Sequence, residues 1–153
     1  MAVHCRKAEL NDVEELYQLI QSYAEQGIML PRSREMLIAQ LADFVVAEDE
    51  GSMVGCGSLC RLGQDLVEIR SLGINHSHQG KGIGSRIVEV LEAEARRQGI
   101  PKLMALTYEV KFFERNGFKV VDKEIFPEKV WKDCINCKKQ HCCDEIAVLK
   151  KLN

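Results

Sequence analysis

The run Gln79-Gly80-Lys81-Gly82-Ile83-Gly84-Ser85, set between an apolar stretch and a long amphipathic one, constrains the fold more than any other part of the chain. Glycines at alternate positions leave backbone N–H groups uncovered where a helix begins. The first turn of a helix holds donors without intrahelical acceptors, and the helix dipole favours an anion beside them. Gly also permits close approach of a ligand to the backbone. The context predicts a strand–loop–helix unit whose loop holds a phosphate, against the plainer reading of a Gly-rich turn with no ligand. Two other phosphate loops are excluded by spacing. A P-loop needs Gly-x-x-x-x-Gly-Lys, which is absent, and a dinucleotide fingerprint needs Gly where the chain has Ser85.

The chain has 153 residues, which suits one domain over 1–153 with a core that needs no staples. Hydrophobic residues make up 46% and charged residues 29%, the balance of a folded rather than a disordered chain. A formal net charge of −2 supplies no field to attract nucleic acid, so no nucleic-acid partner is expected. No apolar run reaches the length of a membrane span, and Arg6, Lys7 and Glu9 argue against a secretory signal. No membrane partner is expected, and the expected location is cytoplasmic.

An odd count of 7 cysteines argues against a secreted disulfide framework. Cys5, Cys56 and Cys60 lie in apolar, strand-like segments and read as small buried hydrophobes. Cys134, Cys137, Cys142 and Cys143 crowd together with His141. Cys-x-x-Cys is a common half of a zinc site. A structural zinc on the four cysteines, with His141 as an alternative ligand, is expected ahead of reduced thiols or a disulfide.

Val3–Lys7 reads as a first strand. Asn11 and Glu14 form the expected capping box of a helix carrying Val13, Leu16, Tyr17, Ile20 and Tyr23 at helical spacing, stopped by Gly27. Ile28–Arg32 is a connection, and Ser33 caps a short helix through Leu41. Phe44–Glu48 reads as a strand, Glu50-Gly51 as a hairpin turn into a strand at Met53–Arg61, and Val67–Ile74 as a further strand after Gly63-Gln64-Asp65. The phosphate-loop helix is expected from about Gly82 to Gln98, with Ile83, Ile87, Val88, Leu91 and Ala95 on its apolar side. A strand at Leu103–Thr107, a short helix at Val110–Asn116, a strand from Phe118 to about Asp122 and a last strand from about Glu145 to Lys150 complete the chain. The order β-α-α-β-β-β-α-β-α-β-β implies an α+β (mixed α/β) domain with a largely antiparallel sheet. The cysteine-rich segment at about 134–143 falls between the last two strands.

Gln79, Gly82 and Gly84 match the signature Gln/Arg-x-x-Gly-x-Gly/Ala, and the chain resembles the GNAT family of N-acetyltransferases. The likeness spans essentially the whole chain and is strongest from Val67 to Phe118. It implies the GNAT fold, with acetyl-coenzyme A as cosubstrate. It also implies that the pyrophosphate sits on Gln79, Gly80, Lys81, Gly82, Ile83, Gly84 and Ser85, and the pantetheine arm on backbone groups of Leu72, Gly73 and Ile74. Acetyl transfer to an amine needs a held thioester, a deprotonated amine and a proton for the departing thiolate, and positioning supplies much of the rate. Glu68, on the strand before the loop, is the candidate base, against a carboxylate at a sheet edge or paired with Arg70. The Tyr with which family members often protonate the thiolate is Phe113 here, which leaves Thr107 and Tyr108 as candidate acids.

Gly27 to Glu35 resembles the acetyltransferase domain of N-acetylglutamate synthases, in which a Leu-x-Arg segment holds the amino acid; Leu30 and Arg32 match it. Cys56-Gly57-Ser58-Leu59 and Glu68-Ile69-Arg70-Ser71-Leu72 extend the likeness. Arg recognises carboxylates bidentately, so Arg32 and Arg70 form a candidate clamp for a small acidic amino acid, with L-glutamate and arginine biosynthesis as the implied substrate and role. The synthases' Arg and Ser before the last strand correspond to Cys143 and Glu145, which keeps glutamine or another small amino acid open. A different amine, such as a polyamine or a protein N-terminus, and a coenzyme-binding or zinc-linked interaction module without turnover, stand as alternatives. A homodimer is among the expectations for assembly.

Overall fold

The computed structural model describes residues 3–122 and 145–152. Its strands are β1 (Val3–Lys7), β2 (Phe44–Asp49), β3 (Ser52–Arg61), β4 (Leu66–Ile74), β5 (Lys102–Thr107), β6 (Lys119–Val121) and β7 (Ile146–Lys151). The helices are α1 (Val13–Glu25), α2 (Arg34–Ala39), α3 (Ile83–Arg97) and α4 (Val110–Arg115). The element order is the one the sequence implies, and the strand order is β1-β2-β3-β4-β5-β7-β6. This is a mixed α/β architecture on a largely antiparallel sheet, as the sequence implies. The cysteines at 134, 137, 142 and 143, together with His141, lie outside the described residues.

Two compact units are present, one of Met1–Leu59 with Ile69–Ala93 and one of Cys60–Glu68 with Glu94–Asn153. In the first, β1 pairs antiparallel with β2, and β2 antiparallel with β3. The β2–β3 turn places Glu50 at φ 52° and Gly51 at φ 83°, the two positive values that a tight hairpin with the strands' own twist requires. Val13, Leu16 and Ile20 of α1, on one helical face, are buried with Leu37, Phe44, Val46 and Cys56. Gly55 and Gly57 flank Cys56 and face the other way, against α3. A Cβ on Gly57 would lie 2.9 Å from Ile87 Cγ2 and 3.1 Å from Leu91 Cδ1. The missing side chains let α3 lie close on β3, with its N-terminal loop at the end of β4.

In the second unit β4 runs parallel to β5, with Leu66 opposite Lys102, Val67 opposite Leu103 and Glu68 opposite Met104. Strand β7 pairs antiparallel with both β5 and β6. Leu66, Met104 and Ala147 are buried together, with Leu62, Leu106, Val121 and Leu149 packed against them. No helix among the described residues is long and apolar enough to cross a membrane.

Helices α1, α3 and α4 end alike. Ile28 N–H reaches back to Tyr23 O, Ile100 to Ala95 O and Phe118 to Phe113 O, each after a glycine. This is the Schellman closure that the glycine stops predict. Ser33 caps α2 as expected, its Oγ accepting from Met36 N–H at 3.1 Å. The start of α1 differs from expectation. A 3-10 turn at Leu10–Asp12 precedes it, and Glu9 N–H donates to Asp12 Oδ2 at 2.7 Å, so the capping pair is Glu9 and Asp12 rather than Asn11 and Glu14. Arg6 pulls Asp12 into this place through Nη1–Oδ2 and Nη2–Oδ1 contacts of 2.8 and 2.9 Å. Of the three strand cysteines, Cys56 is buried, whereas Cys5 and Cys60 are only partly so.

Candidate active site

The loop begins where β4 ends. Asn75 N–H donates to Val54 O of β3 at 2.8 Å, and a 3-10 turn at His76–His78 carries the chain to Gln79. Gly80 and Gly82 then take φ of 79° and 81°, the left-handed region that favours glycine. Nothing lies within 4 Å of a Cβ built on either, so conformation and not crowding selects glycine there. The first helical bond of α3 runs from Arg86 N to Gly82 O at 3.2 Å. The opening turn of any α-helix presents amides to what lies before it. Open space over the glycines, exposed Lys81 and the N-terminal end of a 15-residue helix fit an anionic phosphate group.

At the end of β4 the structure adds a residue that the sequence pattern places only in the apolar stripe of α1. Tyr23 Oη donates to Ile74 O at 2.5 Å and accepts from Ile74 N–H at 3.2 Å. Gln79 Nε2 donates to the same phenol oxygen at 2.9 Å and to Ile74 O at 3.3 Å. The Gln79 side chain is therefore turned back onto β4. A Cβ on Gly73 would meet Tyr23 Cε2 at 2.9 Å and Met29 Cε at 3.4 Å, so Gly73 is the bed on which the ring lies.

Arg32 is held beside the same strand. Its Nε donates to Ser71 Oγ at 2.9 Å, Nη1 donates to Gln40 Oε1, and its guanidinium lies 5.3 Å from the centre of the Phe44 ring. Ser71 follows Arg70 in β4, so Arg32 is held on the residue next in sequence to Arg70. Ser71 has φ 54°, a left-handed conformation that costs a non-glycine residue about 1–2 kcal/mol. Two contacts hold it: Arg32 on its hydroxyl, and the Cys56 thiol donating to its carbonyl at 3.2 Å. Burial pushes the Cys56 thiol up to about 12, so it stays a protonated donor. Arg70 is partly buried and Ser58 Oγ donates to its carbonyl at 3.1 Å, while Leu30 is exposed. Ser71, Gln40 and Tyr23 were not legible as site residues, because their partners lie far along the chain.

Glu68 is 2% exposed, the most deeply buried carboxylate among the described residues, and closes the β4–β5 ladder opposite Met104. Thr107 is buried at the end of β5, its Oγ1 accepting from Glu109 N–H at 2.7 Å, which leaves the hydroxyl proton to be donated elsewhere. Tyr108 follows it and is exposed. No group of three or more His, Cys, Asp or Glu able to hold a metal occurs among the described residues.

A family model matches most of the chain. That model is described as "Acetyltransferase (GNAT) family", and it covers residues 10–118. The chain belongs to the GNAT acetyltransferase family. This GNAT N-acetyltransferase is 42% identical over 147 residues to an uncharacterised N-acetyltransferase of Chlorobaculum tepidum, covering 96% of this chain and 95% of that one. It is 36% identical over 131 residues to an amino-acid acetyltransferase of Mycobacterium tuberculosis, with 80% and 75% covered. Among solved structures, the N-acetylglutamate synthase of Neisseria gonorrhoeae, complexed with coenzyme A and N-acetyl-glutamate, superposes with a TM-score of 0.88 at 29% identity. That superposition covers 100% of this GNAT chain and 36% of the synthase.

Proposed function

We propose that this acetyltransferase moves the acetyl group of acetyl-CoA to the α-amino group of a small acidic amino acid, L-glutamate first, as an entry step to arginine biosynthesis. The observation that carries the reading is Arg32, braced by Ser71 and Gln40. An acidic amino acid brings two carboxylates, and a guanidinium held by other contacts loses little freedom on meeting one. The amino-acid acetyltransferase and the N-acetylglutamate synthase named above support the same substrate class. Acetyl-CoA supplies the activated thioester. Glu68 takes the ammonium proton, directly or through water; the nitrogen forms its bond to the acetyl carbon as the C–S bond breaks. The surplus proton left on that nitrogen passes by way of Thr107 or Tyr108 to the sulfur.

The test is thiol release from acetyl-CoA across the amino acids and a set of amines lacking carboxylates. Glutamate should lead, and Arg32→Ala should raise its KM about 10- to 100-fold, the weight of a charge-assisted hydrogen bond. Arg32→Lys should recover little, because an ammonium cannot reproduce the fork. Equal rates on glutamate and on putrescine would overturn the clamp.

A further inference from the structure

We propose that Tyr23 is a positioning residue for the coenzyme: its hydroxyl ties the end of β4 to the head of the phosphate loop and so sets where the diphosphate is held. The inference rests on the coenzyme lying along residues 79–85. A phenol has one proton to give and two lone pairs to offer. Here the proton goes to Ile74 O, and the oxygen receives both Ile74 N–H and Gln79 Nε2. The hydroxyl is fully used, and it is used entirely on two residues that flank the loop's entry. Gln79 in turn spends its amide donors on Tyr23 and on Ile74 O.

Between Ile74 and Gln79 the chain is tied at Asn75, whose N–H donates to Val54 O at 2.8 Å, and at His78, whose Nε2 meets Asp49 Oδ2 at 3.1 Å, but neither bond reaches Gln79 itself. The 3-10 turn at His76–His78 closes through Gln79 N to His76 O at 3.5 Å, a long bond, and the hydrogen bonds among Asn75, Ser77 and His78 are local. The phenol itself cannot wander. Its ring lies on the bare backbone of Gly73 and stacks with His76 at 6.2 Å between centres and 18° between planes. With both Ile74 backbone groups engaged, Tyr23 takes Ile74 out of the backbone expected to meet the pantetheine arm. A side chain 51 residues away thus sets both the strand end and the loop that follow it.

The test is a double-mutant cycle on coenzyme A affinity, measured by calorimetry, with Tyr23→Phe and Gln79→Met. Tyr23→Phe keeps the ring on Gly73 and removes only the hydroxyl; Gln79→Met alters an exposed side chain of similar length and reads the tie from its other end. Each single change should weaken coenzyme A about 5- to 20-fold, as expected for lost hydrogen bonds within one network. The double variant should be no weaker than the worse single one. Acetyl-CoA KM should rise in parallel, with kcat within about twofold and the unfolding midpoint close to that of the parent. Unchanged affinity in both single variants overturns the proposal, and so do losses that multiply in the double variant. Should Gly82→Val leave coenzyme A binding intact, the coenzyme lies elsewhere, and it is the loop assignment rather than the tie that has failed.

Discussion

Glu68 is where the residue scale matters most. At 2% exposure it sits on a strand whose ladder with β5 stops at that position, and a carboxylate so placed is a poor choice for structure alone. Glu68→Gln keeps shape and volume and removes the proton acceptor. We expect kcat/KM to fall about 100-fold or more near neutrality, the usual weight of a general base. The deficit should shrink as pH rises and the amine loses its proton to solvent unaided. A pH–rate profile of both proteins checks this, and a gap that stays constant up to high pH would assign Glu68 to packing. The carboxylate itself was legible in the sequence, on a strand-like run with Arg70 two residues on. Its neighbour Ser71 was not. Nothing in serine announces a positive φ, and its three-way hold by Arg32, Cys56 and the strand appears only once β3, β4 and the Ile28–Arg32 connection are side by side.

At the scale of elements, α3 carries the loop, and β3 fixes how near α3 can come. Gly57→Val would force a side chain to within 2.9 Å of Ile87 Cγ2 and 3.1 Å of Leu91 Cδ1. Overpacking of this kind costs about 1–3 kcal/mol. Both the denaturation midpoint and coenzyme A affinity should drop, because the helix that moves is the one that opens at Gly82. Gly63→Ala, where nothing lies within 4 Å, is the matching control and should be near neutral in both measurements. The order of elements was readable because hydrophobic period, glycine stops and the Ser33 cap agree along the chain. Glu9 and Asp12 were passed over for Asn11 and Glu14 because both pairs share the same spacing. What separates them is Arg6, whose bidentate reach to Asp12 depends on β1 lying beside the helix start.

That same cluster gives the molecule as a whole a pH dependence. Arg6 bridges Asp12 at the start of α1 and Glu48 of β2, Nε to Oε1 at 3.2 Å, and so joins β1, the start of α1 and β2. The Arg6 guanidinium holds the Asp12 carboxyl below the usual carboxylate range, and the 5% exposure of Asp12 means little screening by water. A carboxyl depressed in the folded state binds its proton more readily when unfolded. Its contribution is therefore complete above the unfolded value of about 3.9 and is lost as pH falls through the lower folded value. Asp12→Asn leaves Arg6 with Glu48 and a neutral amide and should cost about 1–2 kcal/mol at pH 7, as for one charge-assisted pair whose Arg6 side is partly open to water. Denaturation curves of parent and variant should run apart near neutrality and converge below about pH 4. Glu14, exposed and held down to about 2 by Arg34, should add little to that convergence, because solvent screens its pair. A separation that persists to the acid limit would mean that Asp12 acts through its shape at the Glu9 cap and not through its charge.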